Sequence, residues 1–303
     1  MAKIVINARV PNRIRIVDYR KYSKGGAAES RELTDWYENG DLIILANYRF
    51  KSGRDVFCHV PFPNKRGENK LRLHLDADRH GEKIRDREWA AAREAVEKTS
   101  ISQSDFEAAV RQANDELLNL CDRLFQHYSY DKRYCIYNLT EMLAHNMHFD
   151  SPQHAGDFTQ LRAFVNIDNY PRIWRIGGTL EEMANNCYRS ADLKKTMGSH
   201  ARMFSRKTTL ASFGDRYESG AHPHPMHSIA FQPGEIWFLN PNMLAHEVVY
   251  GRRILDGVFL FEQAGLRNPE RFYPTIVDRL HRKHLGPFGY WWRKLRNGFA
   301  PTP

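Results

Sequence analysis

His148-Phe149-Asp150, followed by Gln160-Leu-Arg-Ala-Phe-Val-Asn-Ile-Asp168 and, much later, by Pro233-Gly-Glu-Ile-Trp-Phe-Leu239 and His246, decides how this 303-residue chain is read. In a β-strand, residues i and i+2 point to the same face, so His148 and Asp150 offer one imidazole and one carboxylate to a single ion. His246, from a later strand, completes a set of two histidines and one carboxylate. Such a set leaves three adjacent metal positions open, as mononuclear iron oxygenases require.

The spacing alone is weak evidence. With 14 histidines and 36 acidic residues in the chain, on the order of two His-x-Asp/Glu triplets arise by chance. The rivals are His74-Leu-Asp76 and His80-Gly-Glu82, in a polar, charge-crowded stretch from Leu71 to Arg87 that reads as an exposed strand end or loop. Context favours His148, because apolar, alternating segments follow it and a turn, a strand and a histidine end the series.

Short apolar segments recur at Tyr134–Leu139, Leu161–Ile167, Arg172–Ile176, Ser228–Phe231, Ile236–Leu239, Ala245–Tyr250 and Ile254–Phe261. Separated by turn residues, they predict an α+β, mainly β fold, a double-stranded β-helix of the jelly-roll, cupin-like kind, braced by N-terminal helices. Ile4–Ile6, Ile14–Val17 and Asp41–Ala46 read as further short strands. After Ser104, placed with Glu107 at capping-box spacing, the residues Phe106, Ala109, Val110, Ala113, Leu117, Leu120, Cys121 and Leu124 recur at three- and four-residue steps. That stripe predicts a helix packed on one face of a sheet. The polar region from Met183 to Pro225 reads as a long irregular connection over the site.

At 42% hydrophobic and 12% aromatic residues, one elaborated domain over 1–303 is expected, with strand and helix support across 37–130, the jelly-roll core across 131–265 and a tail across 266–303. No apolar run reaches membrane-spanning length and no signal-peptide pattern opens the chain, which predicts a cytoplasmic protein. Cys58, Cys121, Cys135 and Cys187 form no Cys-x-x-Cys pair and read as ordinary thiols. The net charge of +9 is unevenly spread: Arg271 to Arg296 holds seven Lys/Arg residues against Asp278 alone, interleaved with Phe272, Tyr273, Phe288, Tyr290, Trp291 and Trp292. Such a tail suits either a peripheral contact with an anionic membrane or a helix docked on the domain. No nucleic-acid-binding motif accompanies the charge, so no nucleic-acid partner is expected.

Three pieces together resemble the Kdo hydroxylase-like Fe(II)/2-oxoglutarate dioxygenases: Tyr37-Glu-Asn-Gly-Asp-Leu-Ile-Ile44; the core from His148-Phe-Asp150 through Leu161-Arg-Ala-Phe-Val-Asn166 to Pro171-Arg-Ile-Trp-Arg-Ile-Gly177; and Pro233-Gly-Glu-Ile-Trp237 with His246. The resemblance implies the double-stranded β-helix, Fe(II) on His148, Asp150 and His246, 2-oxoglutarate and O2 as cosubstrates, and hydroxylation of an unactivated C–H. In that family the substrate is the sugar acid Kdo in lipopolysaccharide, which would suit an enzyme peripheral at the inner membrane. His145-Asn-Met-His148 lacks a basic lead-in and Tyr137-Asn138 brings no arginine, which keeps a hydroxylase of a soluble metabolite or natural-product intermediate open. A non-catalytic, cupin-like sugar- or lipid-binding protein is the reading from another class.

A 2-oxoglutarate carboxylate calls for a cation, and an arginine fork suits it. Many such enzymes place this arginine about ten residues after the second histidine, but position 256 is aspartate. By resemblance the donor is Arg162, assisted by Arg172 or Arg175, with Asn166 on the same strand face as Arg162. In Ala221-His-Pro-His-Pro-Met-His227, His224 and His227 are candidate substrate contacts on a stiff loop. Trp174 and Trp237 read as core. A monomer or a dimer fits the sequence equally.

Overall fold

The computed structural model describes residues 1–60, 72–76, 83–84, 86–139, 142–150, 158–214 and 225–298. Among them lie strands β1 (Lys3–Val5), β2 (Ile14–Asp18), β3 (Leu42–Ala46), β4 (Arg72–Asp76), β5 (Lys83–Ile84), β6 (Lys132–Asn138), β7 (Met142–His148), β8 (Phe158–Asn166), β9 (Arg172–Thr179), β10 (His227–Phe231), β11 (Ile236–Phe238), β12 (Leu244–Gly251) and β13 (Ile254–Glu262). The helices are α1 (Tyr19–Tyr22), α2 (Ala27–Glu38), α3 (Arg54–Phe57), α4 (Asp86–Val96), α5 (Gln103–Leu124), α6 (Leu180–Cys187), α7 (Arg202–Phe213) and α8 (Tyr273–Gly298).

The strands form a small sheet, β1-β10-β9-β12-β7, and a large one, β2-β3-β11-β8-β13-β6-β4-β5. From β6 onward the chain passes back and forth between them, except that β9 and β10 follow one another in the same sheet: β6, β8, β11 and β13 lie in the large sheet, and β7, β9, β10 and β12 in the small one. Apart from the parallel pair β2–β3, the pairings are antiparallel.

The strand period of two sorts the side chains into layers. On β8, Leu161, Ala163 and Val165 face α5 and join its stripe, together with Leu255 and Phe259 of β13. Phe164 points the other way and meets Trp174, Ile176, Ile229, Phe231, Trp237 and Val248 between the sheets. A third core sets Met147, Phe149 and Ala245 against α6, α7 and the first half of α8. The molecule is therefore layered as helices, large sheet, small sheet, helices.

All eight residues of the predicted α5 stripe are buried. Its cap, however, is Ser102 rather than Ser104: the Ser102 hydroxyl accepts the Asp105 N–H at 3.1 Å, and Ser102 has extended backbone while residue 104 is already helical. Within the stretch from Leu71 to Arg87, expected as a strand end or loop, β4 pairs with β6 on one side and β5 on the other, and β5 ends the large sheet. One other expectation is corrected. Within Met183–Pro225, the described part is largely helical: Thr179 caps α6 in a reciprocal capping box with Glu182, and α7 buries Phe204 and Phe213.

The tail divides in two. Tyr273, Ile276 and Leu280 are buried against α6 and α7. Gly286 then adopts φ +68°, where a side chain would be strained, and Pro287 has no amide N–H, so α8 breaks there. Its second half folds back on the first, where the Tyr290 hydroxyl donates to Asp278 and the Arg282 guanidinium lies 4.9 Å from the Tyr290 ring centre.

Candidate metal centre

β7 and β12 are neighbours in the small sheet, and their register sets His148 opposite His246. The chain leaves β7 through Phe149, whose ring is buried in the helical core, so Asp150 turns back toward the two histidines. Its backbone is fixed by the turn Asn240-Pro241-Asn242: the Asp150 N–H donates to the Pro241 carbonyl at 2.8 Å, and Asn242 Nδ2 donates to the Asp150 carbonyl at 2.9 Å. Asn240 closes that turn by accepting the Asn242 N–H at 3.1 Å. The sequence reading missed this support, although Asn-Pro-Asn before a strand is itself a turn signal.

One ligand atom from each of His148, Asp150 and His246 lies within 4.8 Å of the other two. His148 Nε2 is 3.2 Å and His246 Nε2 3.8 Å from Asp150 Oδ1. Each imidazole sets its Nδ1 against the carbonyl two residues before it, Asn146 at 2.5 Å and Leu244 at 3.1 Å. With each Nδ1 set against a carbonyl, Nε2 of both rings faces the shared carboxylate and is the atom that would offer a lone pair to a metal. Trp174 stacks on His246, with centroids 5.5 Å apart at 22°, and holds the ring's other face. Two oriented imidazoles and one carboxylate form a donor set that fits a divalent transition metal.

A band of alternating charge surrounds this centre. Arg162 on β8 donates Nε to Asp256 Oδ1 at 2.9 Å and Nη2 to Asp256 Oδ2, while its Nη1 stands 3.6 Å from Asp150 Oδ2. Burial opposes the Arg162 charge, but the two carboxylates outweigh it and hold the guanidinium firmly protonated. Burial also works against the Asp150 carboxylate, yet the His148 hydrogen bond and the charges of His246 and Arg162 keep it well below the usual carboxylate range. Arg172, at the start of β9, is 3% exposed and lies 5.9 Å from the Trp174 ring centre. Burial lowers its pKa to about 10, partly offset by Asp256 and Asp168.

The remaining predicted site residues fall elsewhere. Asn166 faces inward as expected, but its Nδ2 donates to the Tyr170 and Phe231 carbonyls at 2.9 and 3.1 Å and its Oδ1 accepts the Asp168 N–H. It is spent on the β8–β9 connection, a correction that follows from the need of buried backbone carbonyls for donors. Arg175 pairs in register with Glu247, one residue from the Ile176–His246 pair, and therefore lies on the opposite face of the small sheet, 3.8 Å from the Glu247 carboxylate. His227 is fully buried: Nδ1 accepts the Asn7 N–H at 3.0 Å and Nε2 donates to the Pro11 carbonyl at 3.2 Å, which pins the N-terminal segment and leaves neither ring nitrogen for a substrate. His224, His80 and Glu82 lie outside the described residues, as do the side chains of His74 and Asp76 on β4. The residue that sequence reasoning noticed only as a missing arginine, Asp256, proves to be the counter-ion of Arg162.

The sequence matches no protein-family model and no curated protein. In three dimensions the chain is similar to the Kdo hydroxylase KdoO, a non-heme Fe(II) α-ketoglutarate-dependent dioxygenase, solved in complex with α-ketoglutarate and Fe(III): TM-score 0.64, 14% identity, 88% of this chain and 95% of that chain. It is similar also to that enzyme's complex with succinate and Fe(III), TM-score 0.62 at 14% identity over 88% and 94% of the two chains, and to its apo structure, TM-score 0.61 at 14% over 88% and 95%. At this identity the likeness establishes a common fold with the Kdo hydroxylase.

Proposed function

We propose that this protein is an Fe(II)/2-oxoglutarate-dependent oxygenase that hydroxylates an unactivated C–H. The observation that carries the reading is the convergence of His148 Nε2, Asp150 Oδ1 and His246 Nε2, both imidazoles locked through Nδ1, at one end of the small sheet. The winding of β6 to β13 between two sheets supports the double-stranded β-helix reading, and the likeness to a dioxygenase with iron and α-ketoglutarate supports the cofactor assignment. Iron, O2 and 2-oxoglutarate together would supply the oxidising power.

The protein's own share is orientation and charge balance. Asp150 and Asp256 offset Arg162 and Arg172, so the metal-free interior is near neutrality among these four groups. A divalent cation and a dicarboxylate entering together preserve that balance, whereas either alone leaves charge in a poorly solvated space. Arg162 and Arg172 are the cations assigned to the cosubstrate. Trp174, between His246 and Arg172, excludes water and fixes both neighbours.

For substrate and location, the reading is a Kdo-type sugar acid on a lipid, met at an anionic membrane. The second half of α8 favours it: Phe288 is 90% exposed, and Trp291, Trp292 and Leu295 are each more than half exposed, at the three-, four- and seven-residue spacing of one helix face. Arg293, Lys294 and Arg296 flank that face. Trp at headgroup depth beside Lys/Arg is the chemistry of an interfacial helix. No described helix is long and apolar enough to cross a membrane. A soluble metabolite remains the competing substrate class, on the departures at His145–His148 and Tyr137–Asn138.

The decisive experiment is anaerobic addition of Fe(II) and 2-oxoglutarate, which should give the weak visible charge-transfer band of an iron chelate. His148→Ala and His246→Ala should each lose the band and all succinate formation while keeping an unchanged circular dichroism spectrum. A band undiminished in both variants would reject this metal centre.

A further inference from the structure

β7 ends at His148, so the strand geometry that aligns residues i and i+2 no longer fixes Asp150, and its backbone direction has to be set from elsewhere. Both of its backbone groups go to the turn at 240–242. That turn is tied to β12, which carries His246: the Met243 and Leu244 N–H groups donate to the Asn240 carbonyl at 2.9 and 3.1 Å. It is tied equally to β8. The Tyr37 hydroxyl accepts the Arg162 N–H at 2.9 Å, and its single proton serves the Gln160 and Leu239 carbonyls at 2.9 and 3.2 Å.

Gln160 adds a side-chain connection. Leu161, Ala163 and Val165 of β8 face α5, which leaves Gln160 on the inner face with Arg162 and Phe164, half-buried and next in line to Arg162. Its Oε1 accepts from Arg162 Nη1 at 3.5 Å, and its Nε2 donates to Asn242 Oδ1. Asn242 Nδ2 then donates to the Asp150 carbonyl at 2.9 Å. The run has one polarity. A guanidinium can only donate and a carbonyl can only accept, so both amides must point the same way, each accepting from the Arg162 side and donating toward Asp150. Donation from a cation polarises the amides behind it, and hydrogen bonds in such a chain strengthen one another.

We propose that Gln160 and Asn242 are positioning residues for the metal centre: a one-way relay from the Arg162 guanidinium to the Asp150 carbonyl that aims the Asp150 carboxylate at the space shared with His148 and His246. The inference rests on the metal-centre reading and extends it, because Asn242 acts through the Asp150 backbone and Gln160 acts through Asn242. A purely structural role would place the worth of these bonds in folding stability alone. A positioning role places it in metal affinity, since a carboxylate free to turn must be ordered when the ion enters. Arg162 Nη1, the nitrogen not closed on Asp256, both starts the relay and stands 3.6 Å from Asp150 Oδ2. One framework thus holds the cation assigned to the cosubstrate and the carboxylate assigned to the metal.

The test titrates the full-length, metal-free chain with Co(II), whose visible d–d bands report affinity and coordination geometry together, beside urea unfolding of the same variants. Gln160→Met and Asn242→Leu remove the amides at nearly constant volume and add no charge. Asn242→Leu should weaken Co(II) about ten-fold and shift the d–d bands, the scale for a side chain that orients a metal ligand. Gln160→Met should weaken it about three-fold, within the range of one net hydrogen bond. Because the relay runs in series, the double variant should bind Co(II) no more weakly than Asn242→Leu alone. Gln160 is half-buried, so Gln160→Met carries the test by itself should Asn242→Leu fail to fold. Co(II) affinity and bands unchanged in Gln160→Met, or losses that simply multiply in the double variant, would overturn the relay while leaving the metal centre standing. An unaltered chain that binds no Co(II), or binds it no better than His246→Ala does, would overturn both.

Discussion

Replacing Arg162 by leucine tests two roles at once, the pairing with carboxylates that the structure shows and the cosubstrate contact proposed for this side chain. Its fork is closed on Asp256, and Nη1 lies 3.6 Å from Asp150 Oδ2. Unit charges at that distance attract by about 5 kcal/mol at an effective dielectric constant near 20, before desolvation is subtracted. Removing one partner of such a buried pair typically costs about 3–5 kcal/mol, because the other charge is stranded. Arg162→Leu should therefore lower unfolding free energy in urea by about that amount, whether or not 2-oxoglutarate is bound by this residue. Arg162→Leu with Asp256→Leu removes both charges and should recover most of the stability. Cosubstrate binding should not recover. In both variants the 2-oxoglutarate concentration needed to develop the charge-transfer band should rise about 10- to 100-fold, the worth of one charged hydrogen bond of about 1.5–3 kcal/mol. A double variant that titrates like the unaltered protein would refute the role of Arg162 and transfer it to Arg172. A single variant with unaltered stability would refute the buried pair itself.

Truncation before Pro287 should leave fold and chelate intact but lose binding to anionic vesicles at low salt. Loss of Arg293, Lys294 and Arg296 alone would account for about 3 kcal/mol at about 1 kcal/mol each; retained co-sedimentation would remove the membrane reading. Truncation before position 275 also deletes the buried Ile276 and Leu280 and should lower the melting temperature instead. Because burial holds the folded His281 pKa near 4, partly countered by Asp278 and reinforced by Arg293 and His284, the unfolded chain binds more protons between pH 4 and about 6.5. Stability contributed by keeping this imidazole neutral is thus complete above about pH 6.5 and falls as pH drops toward 4, by about 3 kcal/mol at most. His281→Leu should flatten that part of the urea-midpoint profile, and an identical slope in the variant would contradict the assignment. His227→Leu should cost about 1 kcal/mol and speed amide exchange in β1 without affecting iron binding, since it frees Asn7 and Pro11 only; a lost chelate band would return His227 to the site.

The strand segments, the α5 stripe and the three metal-ligand candidates were legible in the sequence, and the reason is periodicity. A two-residue repeat in 161–167 or 254–261, and a three-to-four repeat in 106–124, reflects which face each side chain must bury. His148 and Asp150 could be paired because i and i+2 share a strand face, a property of the backbone before any tertiary contact forms. Even there Phe149 matters, since its burial with α7 is what turns Asp150 inward.

What the sequence left undecided were matters of partnership. Asn166 and Arg175 satisfied the same local criteria as Arg162 and Arg172, yet Asn166 is consumed by backbone carbonyls at 170 and 231 and Arg175 faces away beside Glu247. Asp256 read as the absence of an arginine, and only the pairing of β13 with β8 made it the counter-ion of Arg162. For α8, composition favoured a docked helix only slightly over membrane contact. The kink at Gly286 gives the buried face to one half and the exposed aromatic face to the other. Local sequence determined which faces exist, because backbone geometry acts over a few residues; which groups meet across those faces was decided by the fold, because hydrogen bonds and ion pairs depend on distances between residues remote in the chain.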